Sequence, residues 1–238
     1  MPKCEHEKPE LGCTFCQMLN KEKLLQKVCT DLRRTKFKDN VMKECRELFL
    51  DETFAMKADD NVNLIAFNNG VYDMTPLPSG LRVGFRNGRP EDYITLSTRV
   101  DFDPEKRHTE YICWPEIERF IESILPDREV REFWIKHMST LLMGGNPSQK
   151  FYILTGSGSN GKSILFNFLK RVLGDYACAV NISILTQGRQ KSGSAQPDVI
   201  RMKGKRFVTM QEPDEGVALN TGLMKEFASN EPISARDL

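Results

Sequence analysis

The chain has 238 residues, 39% of them hydrophobic and 28% charged, with a net charge of +1, which is enough for one large domain or two small ones of ordinary globular make-up. A balance so close to neutral excludes a general polyanion binder, so any nucleic-acid surface must be a local patch. No apolar run approaches the roughly 20 residues that span a bilayer, the N-terminus lacks the apolar stretch of a signal peptide, and an odd count of seven cysteines fits reduced thiols rather than a secreted disulfide framework.

Residues 1–17 hold Cys4, His6, Cys13 and Cys16. Cys13-x-x-Cys16 has the spacing of a zinc half-site, and Cys4 with His6 would complete a tetrahedron, although Cys4-x-His6 is tighter than the usual spacing. The other reading is a chain terminus with incidental cysteines. From Lys21 to about Leu50 the pattern is helical. Leu24, Leu25, Val28 and Leu32 form one stripe, and Val41, Met42, Cys45, Leu48 and Phe49 form another. Arg33, Arg34, Lys36 and Lys38 lie between them and read either as a phosphate-contacting joint or as a solvated turn. Cys29 and Cys45 are expected to pack.

The period then changes from 3.6 to 2. Leu64–Asn68 and Val71–Met74 flank Asn69-Gly70, a hairpin signal in which both turn positions take positive φ. The Pro-, Gly- and Arg-rich stretch 76–90 reads as a loop, and Tyr93–Thr98 reads as a strand. Asp101 and Asp103 read as polar alternation leading into the Pro104 turn rather than as metal ligands. Pro115 suits the start of a helix whose buried face is Ile117, Phe120, Ile121, Ile124 and Leu125. Pro126-Asp127 breaks and recaps. Val130, Phe133, Trp134, His137, Met138, Leu141 and Leu142 give a second amphipathic helix ended by Gly144-Gly145, with His137 as a core histidine.

The stretch Gly156-Ser157-Gly158-Ser159-Asn160-Gly161-Lys162-Ser163 matches the phosphate-binding loop G-x-x-x-x-G-K-[ST]. An apolar, β-prone run, Phe151–Thr155, precedes it. A helical stripe, Ile164, Leu165, Phe168, Leu169 and Val172, follows. In such a loop the backbone N–H groups turn inward on phosphate oxygens, and the helix that follows aims its positive end at them. Lys162 would pair with the β/γ-phosphates of ATP and the Ser163 hydroxyl would hold Mg²⁺. Hydrolysis also needs an acid on a neighbouring strand. Arg206–Glu212 reads as that strand, with Glu212 as the carboxylate at its end, where parallel sheets place ligands. The glycine- and serine-rich basic stretch 187–194 reads either as the lining of a strand channel or as a solvated surface loop.

The run from Lys203 to Pro213 resembles the second acidic motif of superfamily-three helicases, closest to the helicase–primase ATPases of large DNA viruses and phages. The phosphate loop with Asn160 before Gly161-Lys162-Ser163, the run Asn220–Phe227, and Pro232–Leu238 are similar to theirs as well. Asn63–Asp73 resembles the region that precedes their ATPase core, while residues 1–55 show no likeness. The resemblance implies an α/β, AAA-like P-loop core with a three-layer architecture around a parallel sheet. That core would occupy residues 146–238, after an N-terminal segment over 1–55 and an α+β and helical domain over 56–145. It further implies a homo-hexamer of the full-length protein that hydrolyses Mg-ATP and moves along single-stranded DNA, in the cytoplasm or a replication compartment of the host cell. Lys162 and Ser163 carry over as phosphate and Mg²⁺ ligands and Glu212 as the acid. Lys225 and Arg236 carry over as candidate strand contacts.

Two departures bear on this. Gln211-Glu212 stands where many relatives have an acidic pair, so Glu212 must act alone. The sequence ends at Leu238, before the family's later polar sensor and arginine finger, a group worth about 10³–10⁵ in rate in GTPases. The expectation is a chain that binds Mg-ATP, turns it over poorly and does not unwind DNA alone. A phosphoryl-transfer kinase and a non-catalytic nucleotide-binding assembly module are the competing readings.

Overall fold

The structure, a computed structural model, describes residues 13–80, 82–156, 158, 160–188, 194–229 and 231–236. Cys4, His6, Ser157, Ser159 and the stretch 189–193 therefore lie outside the described residues. Packing divides the chain into two units, Met1–Thr53 and Phe54–Leu238.

The first unit carries the two expected helices, α1 (Thr14–Asp31) and α2 (Thr35–Leu48). Between them the chain turns on Arg34, whose amide returns to Asp31 O at 2.9 Å while its guanidinium pairs with the Asp31 carboxylate at 3.3 Å. This is the solvated-turn alternative. The apolar stripes exist but are not covered. Leu24, Leu25 and Met42 are more than half exposed, and Cys29, expected to pack, is exposed too.

The second unit opens with a short helix, α3 (Phe54–Lys57), and an antiparallel sheet in the order β1 (Leu64–Phe67), β2 (Gly70–Pro76), β3 (Arg82–Arg86). The hairpin forms where expected, with Phe67 opposite Gly70. Its turn is Asn68-Asn69, neither with positive φ, and Gly70 is already in the strand. Gly70 is needed for a different reason: a Cβ there would sit 2.7 Å from both Arg86 O and the Phe85 ring. The strand β3 lies in the stretch expected to be a loop. Its Val71↔Arg86 register and a bulge between Asp73 and Pro76 accommodate the glycines and prolines that hid it from pattern reading.

Conversely, Tyr93–Thr98 is not a strand. Tyr93 and Arg99 have φ of 48° and 64°, which breaks extended geometry at both ends. The Asp59 carboxylate accepts the Thr95 and Leu96 amides at 2.8 and 3.2 Å in place of a ladder partner. Two isolated backbone bonds, Thr98 N–H to Ala66 O and Asn68 N–H to Val100 O, tie the segment to β1. Asp103 accepts the Glu105 amide at 3.1 Å, as the turn reading requires.

The helices α4 (Trp114–Ile124) and α5 (Arg128–Thr140) follow. Pro115 stands in the first turn of α4. The Asp127 carboxylate caps α5 by accepting the Glu129 and Val130 amides at 2.8 and 3.1 Å. His137 is half-buried against Tyr152, with ring centroids 3.7 Å apart, as a packed histidine should be. Next come α6 (Lys162–Leu173), β4 (Ala177–Ala179), α7 (Ser183–Thr186), α8 (Pro197–Arg201), β5 (Phe207–Thr209) and α9 (Thr221–Ala228). β4 and β5 pair in parallel, Ala177 opposite Phe207.

Among the described residues the architecture is thus mixed α/β with two small sheets. The expected strand at 151–155 is not formed: that segment has no ladder partner among the described residues, and Ile153 is 67% exposed. The parallel sheet therefore has two strands among the described residues rather than the broad layer the resemblance implied.

Among the described residues two cores hold the unit. Ile65, Met74, Leu173 and Tyr176 form one, and Trp134, Leu165 and Leu169 form the other. Tyr176 joins sheet to helix. Its hydroxyl accepts the Ala66 N–H at 3.0 Å and donates to Leu96 O at 3.1 Å. Two polar clusters complete the frame. Arg86 reaches Asp73 and Asp92 together, and Arg206 donates to the carbonyls of Leu142 and Leu64 while lying 4.8 Å over the Tyr176 ring.

Candidate nucleotide-binding site

Of the strand, loop and helix that the phosphate-loop motif calls for, the loop-to-helix junction is present and the strand at 151–155 is not. Gly161 is the N-cap of α6 with φ 82°, a left-handed conformation that L side chains rarely adopt. A Cβ at Gly161 would also press to 2.8 Å on Ile124 at the end of α4, so the turn can approach that helix only as glycine. The residues behind the junction are apolar at helical spacing. Leu165, Leu169 and Leu173 are buried, which leaves Ser163 on the outer side of the first turn. Ile164 and Val172, counted in the expected stripe, are exposed instead.

Lys162 turns back over the loop and donates from Nζ to Gly156 O at 3.2 Å. A Cβ on Gly156 would collide with the Asn160 amide and lie 3.0 Å from Lys162 Nζ. The loop thus gathers Gly156, Asn160, Gly161 and Lys162 into one tight turn at the positive end of a helix. This donor set suits a polyphosphate: a lysine ammonium, helix-terminal amides and an exposed hydroxyl. Asn160 is one of the motif's variable positions; its side chain's close approach to Gly156 is what the structure adds.

Leu154 and Phe207 lie against the same Trp134–Leu165–Leu169 cluster, and the Phe166 ring meets Phe207 edge-on at 5.7 Å. The face of α6 behind the glycine loop therefore carries β5. Glu212 is exposed and lies three residues past the carboxyl end of that strand. Lys225 and Arg236 are held by other elements. Lys225 is exposed on α9, which Asn220 caps by accepting the Leu223 amide at 3.1 Å. Arg236 bridges Ala195 through its backbone. Cys13 stands just before α1 and Cys16 in its first turn, on one helix face. Among the described residues no group of three or more His, Cys, Asp or Glu is placed to hold a metal ion.

Together these observations define a mixed α/β protein with a glycine loop closing onto a helix, and the sequence comparisons then fix its family. Residues 8–126, half of the chain, match the family described as D5 N terminal like, and the chain belongs to that family. The match begins within the first 55 residues, where the sequence reading found no likeness, and it ends before the glycine loop.

A protein of Acanthamoeba polyphaga mimivirus named as a helicase is 39% identical over 90% of this chain and 22% of its own length. One of frog virus 3, also named as a helicase, is 27% identical over 87% of this chain and 27% of its own. One of African swine fever virus, named as a primase, is 29% identical over 85% of this chain and 20% of its own. The chain thus spans about a fifth to a quarter of the length of these relatives. The resemblance to viral helicase–primases is shown. No helix among the described residues is long and apolar enough to cross a membrane.

Proposed function

We propose that this chain is the part of a viral helicase–primase that contains the phosphate loop of an AAA-like ATPase core, binding Mg-ATP at 156–163 and coupling its hydrolysis to movement on single-stranded DNA. The observation that carries the reading is the closed turn at the N-terminus of α6, with Gly161 in the left-handed region and Lys162 Nζ 3.2 Å from Gly156 O. The names of the viral relatives agree with it.

ATP would supply a γ-phosphoryl group whose transfer to water leaves ADP and inorganic phosphate. The residues do the positioning. Lys162 exchanges its carbonyl partner for a phosphate oxygen, the first amides of α6 face the anion, and the Ser163 hydroxyl is free to meet the metal. Glu212, alone beside Gln211, takes the part of metal ligand or water-orienting carboxylate. Lys225 and Arg236 are the strand contacts of this reading, and a homo-hexamer is its assembly. Zinc on Cys13 and Cys16, completed by Cys4 and His6, belongs to the same proposal for the N-terminal segment.

Binding of a fluorescent ATP analogue tests it without asking the chain for turnover. Lys162→Ala should weaken binding by about 10–100-fold, the worth of a charge-assisted bond to phosphate. Glu212→Gln should bind the nucleotide but lose much of the Mg²⁺ dependence. If Lys162→Ala binds as tightly as the unmodified chain, the phosphate-loop reading is wrong. Turnover unaffected by DNA but requiring a second phosphoryl acceptor would favour a kinase instead.

A further inference from the structure

Roughly 18 Å of helix separate the glycine loop, at one end of α6, from a cleft at the other. The cleft has a volume of about 420 Å³ and is lined by Asp175, Cys178, Arg201, Lys203 and Lys205 among others. Three cations face one carboxylate there, in a chain whose overall charge is only +1.

Asp175 is already engaged, accepting the Arg99 Nε–H at 2.8 Å and the Ser97 amide at 3.2 Å. The lysines are held in place by carbonyls rather than by acids. Lys205 Nζ donates to Asp175 O at 2.6 Å, and Lys203 Nζ donates to Ala55 O. An ammonium has three N–H donors, so each lysine keeps donors for an anion while its stem is pinned. Arg201 pairs with Asp198 at 3.4 Å, but its side chain is 60% exposed and such a pair holds weakly. Lys170, on α6, acts on the same half-buried Cys178 thiol as Lys205 and Arg201, against the Asp198 carboxylate, so a fourth cation and a second acid share this field. Among the described residues the lining includes no aromatic ring.

The helix α8 links the cleft to Arg236. Gln196, immediately before α8, donates its N–H to Arg236 O at 2.9 Å, and Arg201 closes the same helix at the cleft. Five residues of helix, about 7.5 Å, separate the two ends.

We propose that this cleft binds the sugar–phosphate backbone of a nucleic-acid single strand, whose path runs along α8 from Arg236 to Arg201, Lys203 and Lys205. The inference rests on the helicase reading and adds to it a strand site remote from the nucleotide. With cations and no stacking platform, recognition is of phosphodiesters and is indifferent to base identity.

The test uses fluorescence anisotropy of labelled 20-nucleotide strands, one oligo-dT and one of mixed sequence, over a range of salt concentrations. Arg201→Gln, at an exposed position, should weaken both strands about 5–10-fold alike and reduce the salt slope by about 0.7, the value for one single-strand phosphate. Lys203→Gln should do the same, and Arg201→Gln should leave binding of the ATP analogue unchanged. In the unmodified chain the strand should slow alkylation of Cys178, read by peptide mass, more than inorganic phosphate does. If the unmodified chain binds strands and both variants match it in affinity and slope, the cleft is not the site while the helicase reading stands. If inorganic phosphate protects Cys178 as well as the strand does, the cleft takes free phosphate and the proposal is overturned. If the unmodified chain binds the nucleotide but no strand, the cleft proposal and the DNA half of the helicase reading fall together.

Discussion

Replacing Arg86 by methionine should be among the most damaging single changes in the second unit, and the reason is electrostatic. Arg86 donates from Nε and Nη2 to Asp73 Oδ2 at 3.1 and 3.0 Å, and from Nη1 and Nη2 to the two Asp92 oxygens at 2.8 Å each. The three side chains are 15%, 10% and 9% exposed, so solvent screens them little. Methionine preserves the apolar stem and removes the charge, leaving two buried carboxylates that share no cation. Summing four charge-assisted bonds would overstate the loss, because the exposed guanidinium of the unfolded chain is itself well hydrated. Measured losses on removing one partner of a buried pair run at about 3–5 kcal/mol. For a unit of this size that corresponds to a Tm lower by roughly 6–20 °C.

The pH dependence gives a sharper test. Burial pushes the Asp73 carboxyl upward, but hydrogen bonds from Thr75 together with the bonds and charge of Arg86 outweigh it, and its pKa ends below the usual 3.8. The Arg86 hydrogen bonds hold Asp92 below 3.8 against burial. Depressed carboxylates contribute stability that is present above their unfolded values and is lost as pH falls through the folded ones. In Arg86→Met the Arg86 share of that depression is lost while burial and the bonds from Thr75 and Arg89 remain, so both pKa values rise, and the variant's penalty, present while the acids are charged, eases as they take up protons. The gap between unmodified chain and variant, measured by urea denaturation, should be widest near pH 7 and shrink toward pH 4. A loss under about 1 kcal/mol, or a gap constant across that range, would refute the electrostatic account.

Two further outcomes follow from the same frame. Arg206→Met withdraws the donor shared by Leu142 O and Leu64 O and the contact over Tyr176, and should cost about 2–4 kcal/mol in urea denaturation, since unsatisfied carbonyls outweigh the relief of a buried cation; an unchanged midpoint would contradict it. Burial lowers the pKa of His137 from its usual 6.5, so the unfolded chain takes up the proton first, and stability should decline as pH drops below about 6.5. His137→Phe, which keeps the stack on Tyr152, should flatten that decline, and a variant with the same acid sensitivity would show that His137 is not its source.

What could be read from sequence was mostly what one stretch of chain decides by itself. The two helices flanking 126–127 and the turn at Gly161 follow from residues that supply their own signals, and they formed where expected. The misses came where a distant group intervened. Asp59 takes the amides that would have made Tyr93–Thr98 a strand, and Arg86 anchors β3 inside a stretch that composition alone makes a loop. Of the family match over residues 8–126, only Asn63–Asp73 was legible as a likeness, because the rest offers no chemical motif beyond the Cys13-x-x-Cys16 half-site. In the candidate nucleotide site, the glycine loop was legible because its chemistry is local. The basic cleft was not, because Arg201, Lys203 and Lys205 acquire their meaning only when Asp175 is seen to be occupied elsewhere.

The hairpin tip has a consequence for chemical ageing. Asparagine followed by glycine is prone to deamidate, because the glycine nitrogen can attack the side-chain carbonyl carbon and close a succinimide. Here the Asn69 amide donates to Phe102 O at 2.8 Å and its oxygen accepts the Phe102 N–H at 3.0 Å, while Gly70 is held in register opposite Phe67. Ring closure must wait for the tip to open, so the rate at which Asn69 turns into aspartate over storage is a clock on how often that corner of the sheet lets go.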